Sequence, residues 1–372
     1  MALKKILSFF PAVLMCNAAA TACVLGSRPD DVSLSMSRQS PQFDLESGRF
    51  ENIGKVSTTL TGSVGSMVSE YFGGNQVRTP TEPLPQVTPD LPSLTHFAEK
   101  PRFIWLGHSS FLLQVGDQTI LVDPVLESHA SPFPVFAERF QPAVLKPEDM
   151  PKIDVILISH DHYDHLEMET MQKFAGTDTK IIVPLGVGSH LRGWGVLPEQ
   201  IVELDWWEHH EFQGVQYTCT PAQHFSGRGL HRNETLWASW AVSGFNQNVY
   251  YSGDSGYGPH FKEIGDRLGP FDLTFIENGQ YNKNWRSVHQ FPEEAVLAHK
   301  DLKGEAMVPV HWGMFELSVH SWYEPVERAS QEAERLGVRL LTPKIGELVD
   351  LGKQVETSPW WRKMMRLLST GS

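Results

Sequence analysis

The sequence predicts an α/β sandwich in which β-sheets pack together with helices outside them. The first observation is an antiparallel start: apolar strands at 103–107 and 110–115, a Gly116-Asp117 turn, and a returning strand at 119–123. The second is the alternation of short apolar strands with amphipathic helices that follows. The third is a length of 372 residues with 41% hydrophobic residues, enough for a large core. Strand–helix alternation after an antiparallel start implies packed sheets beneath outer helices.

Local patterns predict the remaining elements in chain order. Residues 155–159 form a continuous apolar run of buried-strand length that ends directly on His160. Further strands are predicted from apolar runs at 180–184, 215–220, 237–242, 248–254, 271–276 and 306–310. Helices are predicted from helical periodicity and end signals at 166–174, 261–269, 292–302 and 325–336. The sandwich is therefore expected to occupy residues 101–352.

The segments on either side of this domain have other compositions. Residues 23–100 are rich in Ser, Gly, Thr and Pro, and five prolines occur from Pro80 to Pro92 inclusive. Because such spacing forbids helix and central strand, we predict an extended arm there. Residues 353–372 form a basic amphipathic tail that contains Trp, Met and Leu. Such a tail either lies in a membrane interface or packs back on its own domain as a helix.

The N-terminus has the features of an export signal. Lys4 and Lys5 precede an apolar run at 6–15, and Ala20-Thr21-Ala22 supplies the small residues of a cleavage site. Cys23 follows as at a bacterial lipoprotein processing site, although Ala20 stands where Leu is usual. We predict a signal peptide at 1–22 and an exported protein of the bacterial cell envelope, either periplasmic or lipid-anchored through Cys23. A cytoplasmic location is the alternative.

Charge and cysteine content exclude several classes of function. The formal net charge is −13 with no block of Lys or Arg, which argues against a nucleic-acid partner. Three cysteines without a C-x-x-C pair are too few for a disulfide framework or a Cys-ligated zinc site. Metal chemistry would therefore depend on carboxylates and on the 16 histidines. Cys219, within a predicted strand, is expected to be a small buried hydrophobe.

The strongest functional signal follows the buried strand at 155–159. It contains four candidate ligands within six residues: His160, His162, Asp164 and His165. Because side chains alternate along an extended segment, His160 and His162 project to one side and can bind one ion. Asp164 and His165, where the chain turns into helix, can reach a second ion. Neutral imidazole and carboxylate suit Zn²⁺.

The H-x-H-x-D-H pattern resembles the signature of the metallo-β-lactamase superfamily. The resemblance implies its α/β fold, an αβ/βα sandwich of two mixed sheets packed face to face with helices outside. Three later residues follow the superfamily pattern in order: His224 in TPAQH, Asp254 in YYSGDSGY and His311 in VPVHWG. The resemblance implies two zinc ions per chain. One would take His160, His162, His224 and Asp254, and the other Asp164, His165, Asp254 and His311. Iron and manganese also suit such sites.

A longer series of motifs is similar to the N-acyl-phosphatidylethanolamine-hydrolysing phospholipase D branch. The series lies between about residues 45 and 350 and includes SGRFENI, GHSSFLLQV, VILISHDHYDHL, TPAQHFS, HQFPEEAV and HWGMF. The resemblance implies a zinc-dependent hydrolase that cleaves phosphodiester bonds of phospholipids at a membrane surface, with a metal-bridging hydroxide as nucleophile. The leader and the tail depart from the branch and inherit nothing from it.

Four residues have expected roles beside the metal ions, and the resemblance gives that of His289. Asp164 would be catalytic as well as a ligand, because it can orient the hydroxide. His289, in SVHQFPEEA, matches a histidine beside the bound phosphate and would bind phosphate or donate a proton; a helix-capping role is the alternative. Asp123 is expected to support a ligand-bearing loop from behind the ligands, and a similar supporting role is expected for His108.

Two other functions stay open. The same metal centre would serve hydrolysis of a lactone, a thioester or a soluble cyclic phosphodiester. A protein without turnover, a metal-bound envelope sensor or scaffold, is the alternative outside the enzymes. Retention of all seven ligand positions argues against it, because a scaffold needs no open two-metal site. The sequence is compatible with a homodimer.

Overall fold

Two sheets of seven strands each form the centre of the computed structural model, which describes residues 24–59, 69–70, 73–133 and 136–370. The predicted signal peptide and Cys23 lie outside the described residues. The strands are β1 Phe43–Asp44, β2 Arg49–Phe50, β3 Ala98–Gly107, β4 Ser110–Gly116, β5 Gln118–Val122, β6 Val155–Leu157, β7 Lys180–Pro184, β8 Ile201–Leu204, β9 His209–Phe212, β10 Val215–Thr220, β11 Ser239–Gly244, β12 Gln247–Tyr251, β13 Phe271–Glu277, β14 Gly304–Val310, β15 Arg339–Leu340 and β16 Leu348–Asp350. The helices are α1 Asp31–Ser37, α2 Leu91–Leu94, α3 Met168–Phe174, α4 Gly188–Gly193, α5 His260–Arg267, α6 Pro292–Asp301, α7 Glu324–Leu336 and α8 Trp361–Thr370.

Both sheets are mixed, as the resemblance implies. The first has the strand order β16-β3-β4-β5-β6-β7-β8, and the second has β15-β14-β13-β12-β11-β10-β9. In the first sheet the pairs from β16 to β5 are antiparallel and those from β5 to β8 are parallel. The second repeats this division, with antiparallel pairs from β9 to β12 and parallel pairs from β12 to β15. The predicted antiparallel start is confirmed as β3-β4-β5.

The sheets pack face to face through large apolar side chains. Phe111 of β4 stacks on Phe275 of β13 with ring centroids 3.9 Å apart. Outside the first sheet, α3 and α4 bury Met171 and Leu191 against it, and outside the second sheet α6 buries Val296. Burial of apolar surface on both sides of each sheet stabilises this order of layers. The predicted sandwich with outer helices is confirmed.

Several short elements are absent from the sequence prediction. It did not include β8, β9, β15, β16 or α4. The strand predicted at 155–159 ends at Leu157, because the backbone N–H of Ser159 donates to Asp123 Oδ1 at 2.7 Å instead of to a neighbouring strand. Cys219 is fully buried, as predicted.

The described part of residues 23–100 lies on the sandwich instead of extending away from it. It contains α1, the β1–β2 hairpin and α2. Phe43 and Phe50 of the hairpin are buried in the core between the sheets. Asp30 accepts a hydrogen bond from Ser33 N at the start of α1 and pairs with Arg192 at 2.6 Å. The prolines that break regular structure do not prevent this packing, because apolar and charged side chains between them find partners on the domain.

The tail at 353–372 also contacts its own domain. Trp360 and Trp361 are buried, and Trp360 stacks on Trp312 with centroids 5.4 Å apart. The indole N–H of Trp361 donates to Glu327 of α7 at 2.8 Å, and Arg362 donates to the same carboxylate at 2.8 Å. For these residues the structure shows the second alternative, a helix that packs back on its own domain.

A buried histidine away from the candidate ligands predicts acid sensitivity. Burial lowers the pKa of His299 in α6 from 6.5 to about 4. Since the folded state binds fewer protons than the unfolded chain between these values, its contribution is complete above pH 6.5 and is lost as the pH falls toward 4. We expect the free energy of unfolding to fall in this window by about 1.4 kcal/mol per pH unit from this residue alone. Denaturant titrations of wild type and His299→Gln between pH 4.5 and 7.5 measure the difference. Identical slopes in the two proteins would contradict the prediction.

Candidate metal centre

The seven predicted ligands come together at one end of the sandwich. This is where β6, β10, β12 and β14 end, and the chain leaves each of them toward a candidate ligand. His311 follows β14 directly, and Asp254 lies three residues after β12. Parallel strands bring their carboxyl ends to the same edge of a sheet, which explains how residues far apart in sequence meet here. Five of the seven are buried, and His162 and Asp164 are partly exposed.

The first group of ligands faces a common point. Its nitrogen and oxygen atoms lie within 4.8 Å of one another and belong to His160, His162, His224 and Asp254. His160 Nε2 is 2.8 Å from His162 Nδ1, which in turn is 3.3 Å from His224 Nε2. Asp254 Oδ2 lies 3.7 Å from His224 Nε2. This is the set that the resemblance assigns to one ion.

A second group lies on the other side of Asp254. It contains His108, Asp164, His165 and His311, again within 4.8 Å. Asp254 Oδ2 is 3.2 Å from the Nε2 atoms of both His165 and His311. Asp254 therefore lies between the two groups. His108, expected only behind the ligands, reaches this group directly, with Nε2 3.0 Å from Asp164 Oδ2.

Unsatisfied polar atoms show that the donor set fits cations. Asp254 Oδ1 and His165 Nε2 are buried, and neither has a hydrogen-bond partner among the described residues. Burial of an unpaired carboxylate oxygen is costly unless a cation or a hydrogen bond compensates for it. Imidazole nitrogens and carboxylates at one buried centre are the ligands that Zn²⁺ and similar divalent ions prefer. The residues therefore fit two metal ions.

The surroundings of the first ligand group favour the protonation states that bind metal, whereas Asp254 and Asp164 raise the pKa of His165 in the second group. Burial lowers the pKa of His160 and His224 well below the ordinary value, and neighbouring histidines add to this effect. Burial alone would raise the pKa of Asp254, but His165 and His311 outweigh it and hold that pKa well below its usual range. Neutral histidines and an ionised carboxylate are the forms that bind metal.

Asp123 supports the cluster from behind His165. Its Oδ2 lies 2.7 Å from His165 Nδ1, the ring nitrogen that faces away from Asp254. The same oxygen accepts the hydroxyl protons of Tyr251 and Ser159, each at 2.5 Å. Asp123 is fully buried and adopts a φ of +36°. A carboxylate on the second ring nitrogen fixes the orientation of a metal-binding histidine.

Sequence reasoning missed Asn52, which comes from the segment predicted as an arm. Its side chain holds the backbone of His224 on both sides: Oδ1 accepts from His224 N at 3.0 Å and Nδ2 donates to His224 O at 2.7 Å. The indole N–H of Trp237 donates to the same Oδ1 at 3.1 Å. The motif SGRFENI at 47–53 was the signal that pointed to this part of the arm.

Sequence reasoning also missed Arg228. This buried guanidinium donates through Nη1 to the carbonyls of Asp161 and Leu166, at 2.8 and 2.7 Å. The carbonyl of Asp161 lies within the loop that carries the H-x-H-x-D-H ligands, and that of Leu166 directly follows the last ligand. Arg228 Nη2 also donates to Val24 O at 2.8 Å, so the start of the described chain is attached to the same loop. No local pattern in the sequence predicts such a contact.

Removal of the Asn52 side chain should weaken metal binding. Asn52→Ala removes both hydrogen bonds to the backbone of His224, and loss of a supporting contact of this kind typically costs about 10–100-fold in metal affinity. We expect occupancy to drop toward one ion per chain at limiting metal concentration, measured by competition with a chelator. Asn248→Ala is the matched control, since Asn248 donates to two backbone carbonyls at 2.7 and 2.9 Å, away from the ligands. Equal metal affinity in the two variants would contradict the role of Asn52.

A cavity of about 350 Å³ opens over the cluster. Its floor contains candidate ligands from both groups, and its remaining wall combines apolar, polar and basic side chains: Thr58, Phe225, Arg232, Gln280, Trp285, Val288, His289 and Leu317. Arg232 lies over the ring of Phe225, 4.1 Å from its centroid. The wall therefore offers one strong positive charge and an apolar surface beside the metal-binding residues.

His289 is on this wall, and its ring contacts the last residue of β13. Its Nδ1 is in hydrogen-bond contact with Glu277 Oε1, and 3.9 Å separate it from Asp254 Oδ2. Glu294, not His289, accepts the free backbone N–H of Phe291 at the start of α6. Burial lowers the pKa of His289. The contact expected from a helix-capping His289 is thus made by another residue.

Comparisons with known proteins agree with this geometry. A family model described as the beta-lactamase superfamily domain matches residues 118–312. An uncharacterised protein of Mycobacterium tuberculosis is 41% identical over 335 residues, which cover 88% of this chain and 89% of that protein. The N-acyl-phosphatidylethanolamine-hydrolysing phospholipase D 1 of Caenorhabditis elegans is 36% identical over 243 residues, or 61% of this chain and 68% of the relative. The structure of Igni18, a metallo hydrolase of Ignicoccus hospitalis, aligns with a TM-score of 0.51 at 22% identity, over 67% of this chain and 97% of that one.

The fold and the family model place the chain in a superfamily of metal-dependent hydrolases: it belongs to the β-lactamase superfamily. Within that superfamily it belongs to the branch that includes the N-acyl-phosphatidylethanolamine-hydrolysing phospholipases D. The resemblance seen in the sequence motifs is confirmed at both levels.

Proposed function

We propose that this protein is a dinuclear zinc phosphodiesterase of the phospholipase D type, acting on phospholipids such as N-acyl-phosphatidylethanolamine. The observation that carries the proposal is the position of Asp254. Its carboxylate lies between two groups of ligands, with one oxygen unpaired among the described residues, directly beneath the cavity. Membership of the branch supports the choice of bond and substrate.

Two groups of residues would each hold one metal ion. One ion would be held by His160, His162, His224 and Asp254, and the other by Asp164, His165, Asp254 and His311, with His108 beside them. Two bound ions supply positive charge to a phosphate ester and a nucleophile from water at neutral pH.

Residues of the cavity wall would hold and orient the substrate. Arg232 provides a charge-assisted contact for a phosphate oxygen. His289 faces the same space and either binds the phosphate or donates a proton to the departing alkoxide. Phe225, Trp285 and Leu317 offer apolar surface to the hydrocarbon part of a lipid and exclude water from the reacting bond.

A substrate panel tests the proposal. The purified protein is analysed for metal and incubated with N-acylated and plain phosphatidylethanolamine, a lactone, a thioester and a cyclic nucleotide. We expect release of phosphatidic acid from the N-acylated lipid, and loss of that product in Asp254→Asn. Turnover of the lactone or thioester alone would support the second candidate function. A metal-loaded protein that hydrolyses none of them would support the sensor or scaffold.

Export to the cell envelope is the part of the proposal that concerns location. No helix in the described ranges is long and apolar enough to cross a membrane. We expect cleavage before Cys23, with a lipid-modified N-terminus if the processing site functions. Mass spectrometry of the native N-terminus measures both features, and Cys23→Ser is the control for lipidation. An intact Met1 in a cytosolic fraction would contradict export and leave the enzymatic proposal untouched.

A further inference from the structure

A buried glutamate at the end of β13 contacts the cavity histidine. Glu277 is fully buried and belongs to neither of the two ligand groups assigned above. Its Oε1 is in hydrogen-bond contact with His289 Nδ1, and its Oε2 accepts from the backbone N–H of Ser255 at 2.6 Å. No motif in the sequence singled it out.

The burial of the Glu277 carboxylate has to be compensated by its contacts. Burial of an acidic group is costly unless it is paired and hydrogen-bonded. Among the described residues, its carboxylate makes hydrogen bonds to one imidazole ring and to the turn that follows Asp254. A salt bridge that merely holds the fold together would more commonly use Arg or Lys as the partner. The environment of Glu277 is therefore that of a group acting on a histidine.

The contact determines which edge of His289 faces the substrate. An imidazole has two nitrogens, and each hydrogen bond to one of them sets where the other points. With Nδ1 held by Glu277, Nε2 lies on the far side of the ring. Neighbouring rings restrict its tilt: His289 stacks on His311 with an interplanar angle of 9° and meets His224 edge-on at 76°.

We propose that Glu277 is a positioning residue that fixes the ring of His289 so that Nε2 faces the phosphate of the substrate. The inference rests on the proposed phosphodiesterase function and adds a residue to it. Glu277 acts through His289 and does not itself touch the substrate, since it is not among the residues that line the cavity.

His311 is the competing target for Glu277. Its Nδ1 lies 3.7 Å from Glu277 Oε1, beyond hydrogen-bond distance, and has no hydrogen-bond partner among the described residues. His289 Nδ1 is within hydrogen-bond distance of the same oxygen. The geometry thus assigns the carboxylate to His289. If it served His311 instead, its loss would weaken metal binding before it affected turnover.

A double-mutant cycle separates these roles. Glu277→Gln, His289→Ala and the double variant are compared for metal stoichiometry, melting temperature, KM and kcat on the phosphodiester. We expect Glu277→Gln to keep both metals and to lower kcat by about 10–100-fold, as outer partners of active-site histidines do. In the His289→Ala background the same substitution should cost less than about threefold, because residues that act as a unit are not additive. Glu277→Asp should recover part of the rate.

A control variant at a second buried glutamate tests whether the effect is specific to Glu277. Glu203→Gln alters another buried acid, one that accepts Gly186 N at 2.6 Å and belongs to none of the ligand groups, and should leave kcat unchanged. Loss of metal in Glu277→Gln, or an undiminished effect in the double variant, would overturn the proposal. If the wild type hydrolyses no phosphodiester, the proposed function fails, and the same cycle is measured by calorimetry with inorganic phosphate. A weaker phosphate affinity in Glu277→Gln that disappears in the His289→Ala background would still support the positioning role, and additive losses would reject it.

Discussion

Metal and activity should be lost together when His160 or Asp254 is replaced by alanine. His160 is buried at the centre of the first ligand group. Asp254 contributes to both groups, and its removal leaves His165 and His311 without the carboxylate oxygen that lies 3.2 Å from each. Since bound metal supplies several kcal/mol of transition-state stabilisation, we expect the rate to fall on the order of 10³-fold or more.

The measurement combines elemental analysis with diester hydrolysis on the same preparations. Wild type should contain close to two metal ions per chain, chiefly zinc, and each variant fewer than two. The matched control is His209→Ala, which removes an exposed imidazole from the edge strand β9 and should leave both properties unchanged. A metal-free wild type with full activity would overturn the assignment of the centre.

The sequence pattern alone identified only those ligands that lie close together along the chain. His160, His162, Asp164 and His165 fall within six residues at the end of a strand. Local spacing can be judged without knowing the fold. The other ligands, such as His224 and His311, are separated from this segment by tens of residues, and only the family resemblance selected them among the 16 histidines. In the structure these ligands meet because the strands that precede them end at the same end of the sandwich.

The supporting residues could not be found in this way. Asn52 reaches His224 across 172 positions, and Arg228 reaches Val24 across 204. Each is a single polar residue in a loop, with no periodicity around it. Glu277 is hidden differently, since it ends an apolar strand and looks like a polar residue at a strand terminus. Their roles depend on tertiary contacts that local pattern does not encode.

The interior strands of the fold were predicted from the sequence more accurately than its edge strands. Interior strands such as β7 and β10 are rich in buried β-branched and apolar residues and have the same bounds in the prediction and in the structure. The missed strands are short, and β9 alternates between exposed and half-buried residues, including His209 and His210. An edge strand buries too little apolar surface to produce a clear pattern. The arm was misjudged for a related reason: its apolar residues are sparse, yet Phe43 and Phe50 each find a place in the core.

His289→Ala should reduce kcat/KM by roughly 10²–10⁴-fold, the usual range for a positioned acid–base group, while both metals stay bound. The ring lies on the cavity wall beside Asp254, outside both assigned ligand groups, and is held by Glu277 rather than by the first turn of α6. A helix-capping residue would instead cost about 1 kcal/mol of stability with near-normal turnover. Metal stoichiometry, melting temperature and phosphodiester kinetics on one variant distinguish these results. Normal kinetics with a lowered melting temperature would reject the role at the phosphate. Loss of metal would make His289 a ligand, through the group it forms with Asp254, Glu277 and His311.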